Sequence, residues 1–264
     1  MNLLIISDLH INSNNNNNIF GWNSFDFIHQ LQKVILKYNI DKVILNGDIY
    51  EMYQSTFEDI KNSNKQLVNQ LNSDYFYYIK GNHDGLNDFG NQNFVHTNSS
   101  GKTIYIEHGH HADFMSGTKV GRFFENLFFK FLKIFLKFSF IKKIFFEVVE
   151  YNDQINRIPR KYDRYKYLKY ALKLLKKYDL VVLGHTHKIE EHKTYYINQK
   201  KIYLNCGSCT FKRFQGIVLN TETLKHKIIK KSNLKVKKTT KVLKIQNNIL
   251  KNSEFCNKEY FYNN

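Results

Sequence analysis

Residues 3–10 read Leu3-Leu4-Ile5-Ile6-Ser7-Asp8-Leu9-His10, an apolar run that ends on a carboxylate and an imidazole two positions apart. Short runs rich in β-branched and aromatic side chains mark buried strands. The arrangement returns along the chain. Val43-Ile44-Leu45 precedes Gly47-Asp48, and Tyr75-Phe76-Tyr77-Tyr78-Ile79 precedes Gly81-Asn82-His83-Asp84. Ile104-Tyr105-Ile106 precedes His108-Gly109-His110, and Leu180-Val181-Val182-Leu183 precedes Gly184-His185-Thr186-His187. Open α/β folds gather their sites at the carboxyl ends of strands. Clusters of ligand-type residues in that position therefore predict one shared metal centre.

Between these runs the spacing alternates strand and helix. Phe27, Ile28, Leu31, Val34 and Ile35 fall at helical intervals within 25–37, a strand follows at 42–46, and a second helix is expected over 56–71. Such alternation predicts a largely parallel sheet. From 180 onward the pattern is strand after strand, at 193–197, 201–205, 216–220 and 224–229, which predicts an antiparallel or mixed sheet. Two sheets packed face to face and flanked by helices accommodate both halves. Residues 112–178 form an insertion without strand character. Within it, 122–149 is crowded with Phe, while Lys130, Lys133 and Lys137 fall on one side of a helix among Phe128, Phe131, Phe135 and Phe138. A second helical pattern covers 161–177. The expected organisation is one domain over 1–231, interrupted by a helical insertion at 112–178, then a basic flexible tail at 232–264.

Composition narrows the classes. The chain has 264 residues, enough to bury a sizeable core, and its 42% hydrophobic content excludes wholesale disorder. A formal charge of +17 suits a phosphate-bearing partner, either nucleic acid or an anionic membrane surface, with a solvated Lys-rich surface as the alternative. No clear nucleic-acid motif accompanies the charge, which leaves the solvated surface standing beside these partners. Cys206 and Cys209 form a C-x-x-C with no second pair to complete a zinc site, and are read as a turn after a strand. The Asn14 to Asn18 run is read as a solvated loop. No leader precedes the first strand, which predicts cytoplasmic residence. No uncharged stretch approaches the roughly 20 residues a membrane span requires.

Asp and His together suit manganese, iron or zinc, whereas magnesium prefers oxygen. Asp8 and His10 can reach one ion from a strand end, and His185 and His187 share their spacing. A carboxylate such as Asp48 can bridge two cations, and two-metal hydrolytic sites hold their ions about 3.5–4 Å apart.

The order D-x-H, G-D, G-N-H-D, H-G-H and G-H-T-H resembles the calcineurin-like metallophosphoesterase superfamily over 1–230, the insertion excepted. The resemblance implies a four-layer α/β/β/α sandwich and hydrolysis of phosphoester or pyrophosphate bonds. It also implies two divalent ions, with manganese expected and iron or zinc as alternatives. One ion would be held by Asp8, His10, Asp48 and His187, the other by Asp48, Asn82, His108 and His185. His83 would be the catalytic histidine and Asp84 the residue that orients it. His110 is read as lying behind the ligands, His111 as structural, and Asn205 with Gly207 as a turn closing the second sheet. The placement of the insertion resembles the lid of the UDP-2,3-diacylglucosamine hydrolases, which implies a lipid-linked or nucleotide-sugar substrate and a peripheral position on the inner membrane face. A nuclease or nucleotide phosphodiesterase, and a non-catalytic scaffold on the same fold, are the competing readings.

Overall fold

The computed structural model of the protein describes residues 1–13, 19–84, 90–113, 119–135, 138–141, 143–145, 147–148 and 161–231. The expected solvated loop at Asn14 to Asn18 and the tail at 232–264 lie outside these residues, as do Lys137 and the side chains of Lys130 and Lys133.

Strand β1 (Asn2–Ile6) pairs in parallel with β2 (Lys42–Asn46), and β2 with β3 (Phe76–Ile79). Two late strands return to this sheet: β9 (Phe214–Asn220) runs antiparallel to β1, and β10 (His226–Lys231) antiparallel to β9. The first sheet thus has the order β10-β9-β1-β2-β3. The second, β4-β5-β6-β8-β7, is built from β4 (Phe94–Thr97), β5 (Thr103–Ile106), β6 (Leu180–Leu183), β7 (Ile189–Tyr196) and β8 (Gln199–Cys206). Its β5, β6 and β8 are mutually parallel, with antiparallel edges. Both sheets are mixed, and helices flank them.

Alternation along the strands explains the layers. Leu3, Ile5, Ile44, Ile217 and Leu219 of the first sheet pack against Ile104, Ile106, Leu180, Val182 and Leu204 of the second. Leu4, Val43 and Leu45, which alternate with them on the first sheet, point outward and are also buried. On the second sheet, Tyr105, Val181, Leu183 and Tyr203 are covered by Ala171 and Leu175. On the first, helix α1 (Ser24–Tyr38) contributes Phe27, Ile28, Leu31 and Val34. Asn23 caps α1 by accepting from the Asp26 N–H, and Asn39 ends it in a left-handed conformation.

The single helix expected over 56–71 is two helices, α2 (Phe57–Ser63) and α3 (Lys65–Leu71). Asn64 makes the break: its Nδ2 donates to the carbonyls of Asn12 (2.9 Å) and Ile60 (3.1 Å), which ties the helices to the loop after β1. Strand β4 was not expected, because its half-buried, polar edge sequence gives no apolar run.

The insertion opens with a short 3-10 turn, His110–Ala112. Helix α4 (Lys119–Phe135) and helix α5 (Lys161–Leu175) follow. Helix α5 covers the second sheet. Along α4 and just beyond it, Phe123, Phe124, Phe128, Phe131, Phe135 and Phe138 are all more than half exposed. No helix among the described residues is long and apolar enough to cross a membrane.

Candidate metal centre

Asp8 follows β1, Asp48 follows β2, Asn82 and His83 follow β3, His108 follows β5, and His185 with His187 follows β6. The turns that carry them are laced together. The Asp8 N–H donates to the Gly47 carbonyl (3.0 Å), the His10 N–H to the Asp48 carbonyl (3.0 Å), and the Gly184 N–H to the His108 carbonyl (2.9 Å). Five residues of these turns have left-handed backbone despite their side chains: Asp8 (φ 52°), His10 (51°), Asp48 (53°), His185 (67°) and His187 (57°). Each such conformation costs on the order of 1–3 kcal/mol, and clusters of them accompany sites where geometry is imposed. Two glycines allow the turns to close. A Cβ on Gly47 would stand 2.4 Å from the His108 ring, and one on Gly81 would stand 2.1 Å from Asp48 Oδ1.

Among the described residues, three groups of potential ligand atoms fall within 4.8 Å of one another: Asp8, His10 and His187; Asp48, His108 and His185; and His10, Asp48 and His83. Distance alone therefore does not separate His83 from the ligand-type residues. Tautomers can be assigned from fixed acceptors. His10 Nδ1 donates to Glu51 (2.9 Å) and His108 Nδ1 to the Asn46 carbonyl (2.8 Å), so both rings turn an Nε2 lone pair inward. His10 Nε2 lies 3.3 Å from His187 Nε2, His187 Nε2 lies 3.2 Å from Asp8 Oδ1, and His108 Nε2 lies 3.1 Å from Asp48 Oδ2. His185 Nδ1 is buried and makes no hydrogen bond. Lone pairs packed this closely repel unless a proton or a cation stands between them. Imidazole with carboxylate is a donor set for a transition-metal dication, and the residues fit one. Asn82 is half-buried beside Gly81 and precedes the His83 N–H, which donates to Asp48 Oδ1 (2.8 Å).

The metal-free electrostatics agree with this fit. Burial opposes charge on Asp8, yet His187 and His108 hold its carboxyl down at about 2. Asp48 is likewise held low against burial, chiefly by His108 and His83. Burial disfavours the imidazolium of His108, but the Asp48 carboxylate lifts it to about 9. A proton thus occupies that gap when no cation does. Burial, with His108 nearby, pushes His185 down to about 3 and keeps it neutral, the form that binds metal.

Two carboxylates not singled out from sequence hold the site. Glu51, fully buried, contacts His10 Nδ1 and also His83 Nδ1 (3.0 Å), and His83 and His10 hold it down at about 2 against burial. Asp113 Oδ2 accepts from His185 Nε2 (2.9 Å). The task expected of Asp84 is corrected accordingly: Glu51, not Asp84, faces the His83 ring. The Asp84 carboxylate is consumed by backbone N–H groups of Asp48 (2.8 Å), Ile49 (2.8 Å), Tyr50 (2.9 Å) and Gly81 (2.7 Å), so it fixes the turns that carry Asp48 and Asn82. His110 is buried, its ring 5.6 Å from that of His108, and His111 is exposed. Asn205 Nδ2 donates to the Gly184 carbonyl (2.9 Å), so the turn it forms with Gly207 also steadies the His185 turn. Cys206 and Cys209 are free, buried thiols.

Among solved structures, the chain is similar to an archaeal phosphodiesterase (17% identity, 88% of this chain and 100% of that one, TM-score 0.41). It is also similar to a dimetal phosphatase from Danio rerio (8%, 88% and 99%, TM-score 0.44) and to Vps29 from Entamoeba histolytica (15%, 88% and 100%, TM-score 0.38). A comparison with curated protein sequences gives no match. The assignment rests instead on the family model for calcineurin-like phosphoesterases, which matches residues 1–189 and so spans the strand-end clusters up to His187. The chain belongs to the calcineurin-like phosphoesterase family and is a metal-dependent phosphoester hydrolase.

Proposed function

We propose that the chain holds two divalent ions, manganese in the first instance, and hydrolyses a phosphoester or pyrophosphate bond in a lipid-linked or nucleotide-sugar substrate. Asp8, His10, Asp48 and His187 would hold one ion, and Asp48, Asn82, His108 and His185 the other. The observation that carries this division is the central carboxylate: Asp48 faces His108 at 3.1 Å and His10 at 3.9 Å from the same oxygen. Bound there, a pair of dications supplies Lewis-acid charge for the phosphoryl oxygens and an acidified water. The chain's own contribution is orientation. Glu51 keeps the proton on His83 Nδ1 and leaves Nε2 as the ring atom that can meet the leaving oxygen. The rings of His10 and Tyr53 pack against His83 at 4.6 and 4.7 Å between centroids and fix its plane.

The lipid part of the proposal is supported by α4. Among the described residues Phe131 and Phe135 are exposed, as is Phe138 beyond its end, which supports a face open to lipid. Burying a Phe contributes about 1.5–3 kcal/mol. An apolar face on a chain of charge +17 suits an anionic bilayer surface, peripheral on the cytoplasmic side. The competing reading, a nuclease, is favoured by a groove of about 830 Å³ lined by Lys102, Lys193, Lys200, Lys225 and Lys227. Lys102, however, precedes β5, whereas His108 follows it, so the groove and the ligand turns sit at opposite strand ends.

The test is turnover with Mn²⁺ of a phosphomonoester, a small phosphodiester, a UDP-lipid and single-stranded DNA. Replacing Phe131, Phe135 and Phe138 by Ser should spare the soluble diester and the melting temperature but reduce liposome binding and turnover of the lipid. Preferred cleavage of DNA, unaffected by the Phe changes, would overturn the lipid reading.

A further inference from the structure

The insertion does more than lie beside the site, and the residue that connects them is Asp113. It ends the 3-10 turn after His108 and stands where the chain enters the insertion. Its carboxylate has three side-chain partners. Oδ2 accepts from His185 Nε2 at 2.9 Å. The same oxygen accepts from the Tyr167 hydroxyl, and Oδ1 pairs with Lys166. Lys166 and Tyr167 are neighbours on α5, and the Tyr167 ring also stands 5.8 Å from the His185 ring. Tyr167 is buried, so this junction is packed and not a surface ion pair.

The consequence for His185 is chemical. A carboxylate on Nε2 keeps the proton there and leaves Nδ1 as the ligand atom. That Nδ1 is buried with no hydrogen bond, and His185 groups with Asp48 and His108. We infer that Asp113 is a positioning residue that ties the second ion's site to the insertion, so that the seat of α5 sets the orientation of His185. The inference rests on the two-ion reading above. Through it, what the insertion engages is registered at the ion that His185 holds.

The test is calorimetric titration of Mn²⁺ into the metal-free full chain, with melting curves alongside. The wild type should take up two ions. Asp113→Ala should weaken one of them by about 10- to 100-fold, the usual effect of removing a carboxylate behind a histidine ligand, and leave the other unchanged. Asp113→Asn, which keeps an acceptor oxygen, should fall between. Tyr167→Phe, which removes one donor to Asp113 and keeps the ring beside His185, should weaken the same one to a smaller degree. Two ions bound by Asp113→Ala as tightly as by the wild type would overturn the inference and leave the two-ion reading standing. So would equal weakening of both ions in Asp113→Ala and Tyr167→Phe alike, which marks general damage. A wild type that takes up fewer than two ions would refute the two-ion reading itself, and the role of Asp113 with it.

Discussion

Replacing Glu51 by Gln alters one atom and tests the logic of the centre. The carboxylate accepts from two imidazole N–H groups, His10 Nδ1 at 2.9 Å and His83 Nδ1 at 3.0 Å, and it is fully buried. Both rings meet Oε2, and His83 Nδ1 also lies 3.1 Å from Oε1, so the NH₂ group of Gln would face an imidazole N–H in either orientation, and one ring must turn or change its proton. A hydrogen bond to a charged group is worth about 1.5–3 kcal/mol, and 1.4 kcal/mol corresponds to a factor of ten. If His10 gives way, the ion it holds should bind about 10- to 100-fold more weakly. If His83 gives way, both ions should bind normally while kcat falls by a similar factor and KM stays. Calorimetric titration of Mn²⁺ and steady-state kinetics on a small phosphodiester separate the two outcomes. Unchanged ion affinity together with unchanged kcat would show that neither ring depends on Glu51.

Gly81→Ala should deplete both ions, which share Asp48, and lower the melting temperature, because the new Cβ would lie 2.1 Å from Asp48 Oδ1 and 2.3 Å from its backbone nitrogen. Metal analysis of the purified variant checks it, and wild-type content would contradict the packing. Chelated protein should lose stability at both ends of the pH range. His108 is raised to about 9, so its contribution is complete below about 6.5 and lost as pH rises through 9. Asp8 and Glu51 are lowered to about 2, so theirs is present above about 4.5 and lost as pH falls through 2. In the Mn²⁺-loaded protein the alkaline loss should vanish, since a ligand His108 is already neutral; melting curves from pH 5 to 9.5 with and without chelator decide this.

The strands and the ligand-type clusters could be read from sequence because each signal is local: an apolar run, then Gly, Asp or His within a few residues. Strand β4 escaped because an edge strand that is only half-buried needs no apolar run. The 56–71 helix was read as continuous because Asn64 sits at an acceptable helical position; the partner that breaks it, Asn12, is 52 residues away. Glu51 and Asp113 escaped for the same reason, since their histidine partners lie 32 to 72 residues distant and nothing nearby distinguishes them from surface acids. Asp84 misled by adjacency. Standing next to His83, it was paired with that ring, whereas a tight turn exposes four backbone N–H groups that compete for the same carboxylate and win by proximity.

Asp8 and Asp48 project from the first sheet, while His108, His185 and His187 project from the second. Ions held by both sets would fasten the two halves of the sandwich along one rim. A ligand bound only by the folded chain adds about 1.4 kcal/mol of stability for each tenfold rise in its free concentration above the dissociation constant. The survival of this protein in the cell would then follow the supply of free metal as closely as its activity does. A starved chain would part first along that rim, and its rate of digestion by a protease would serve as a gauge of metal supply.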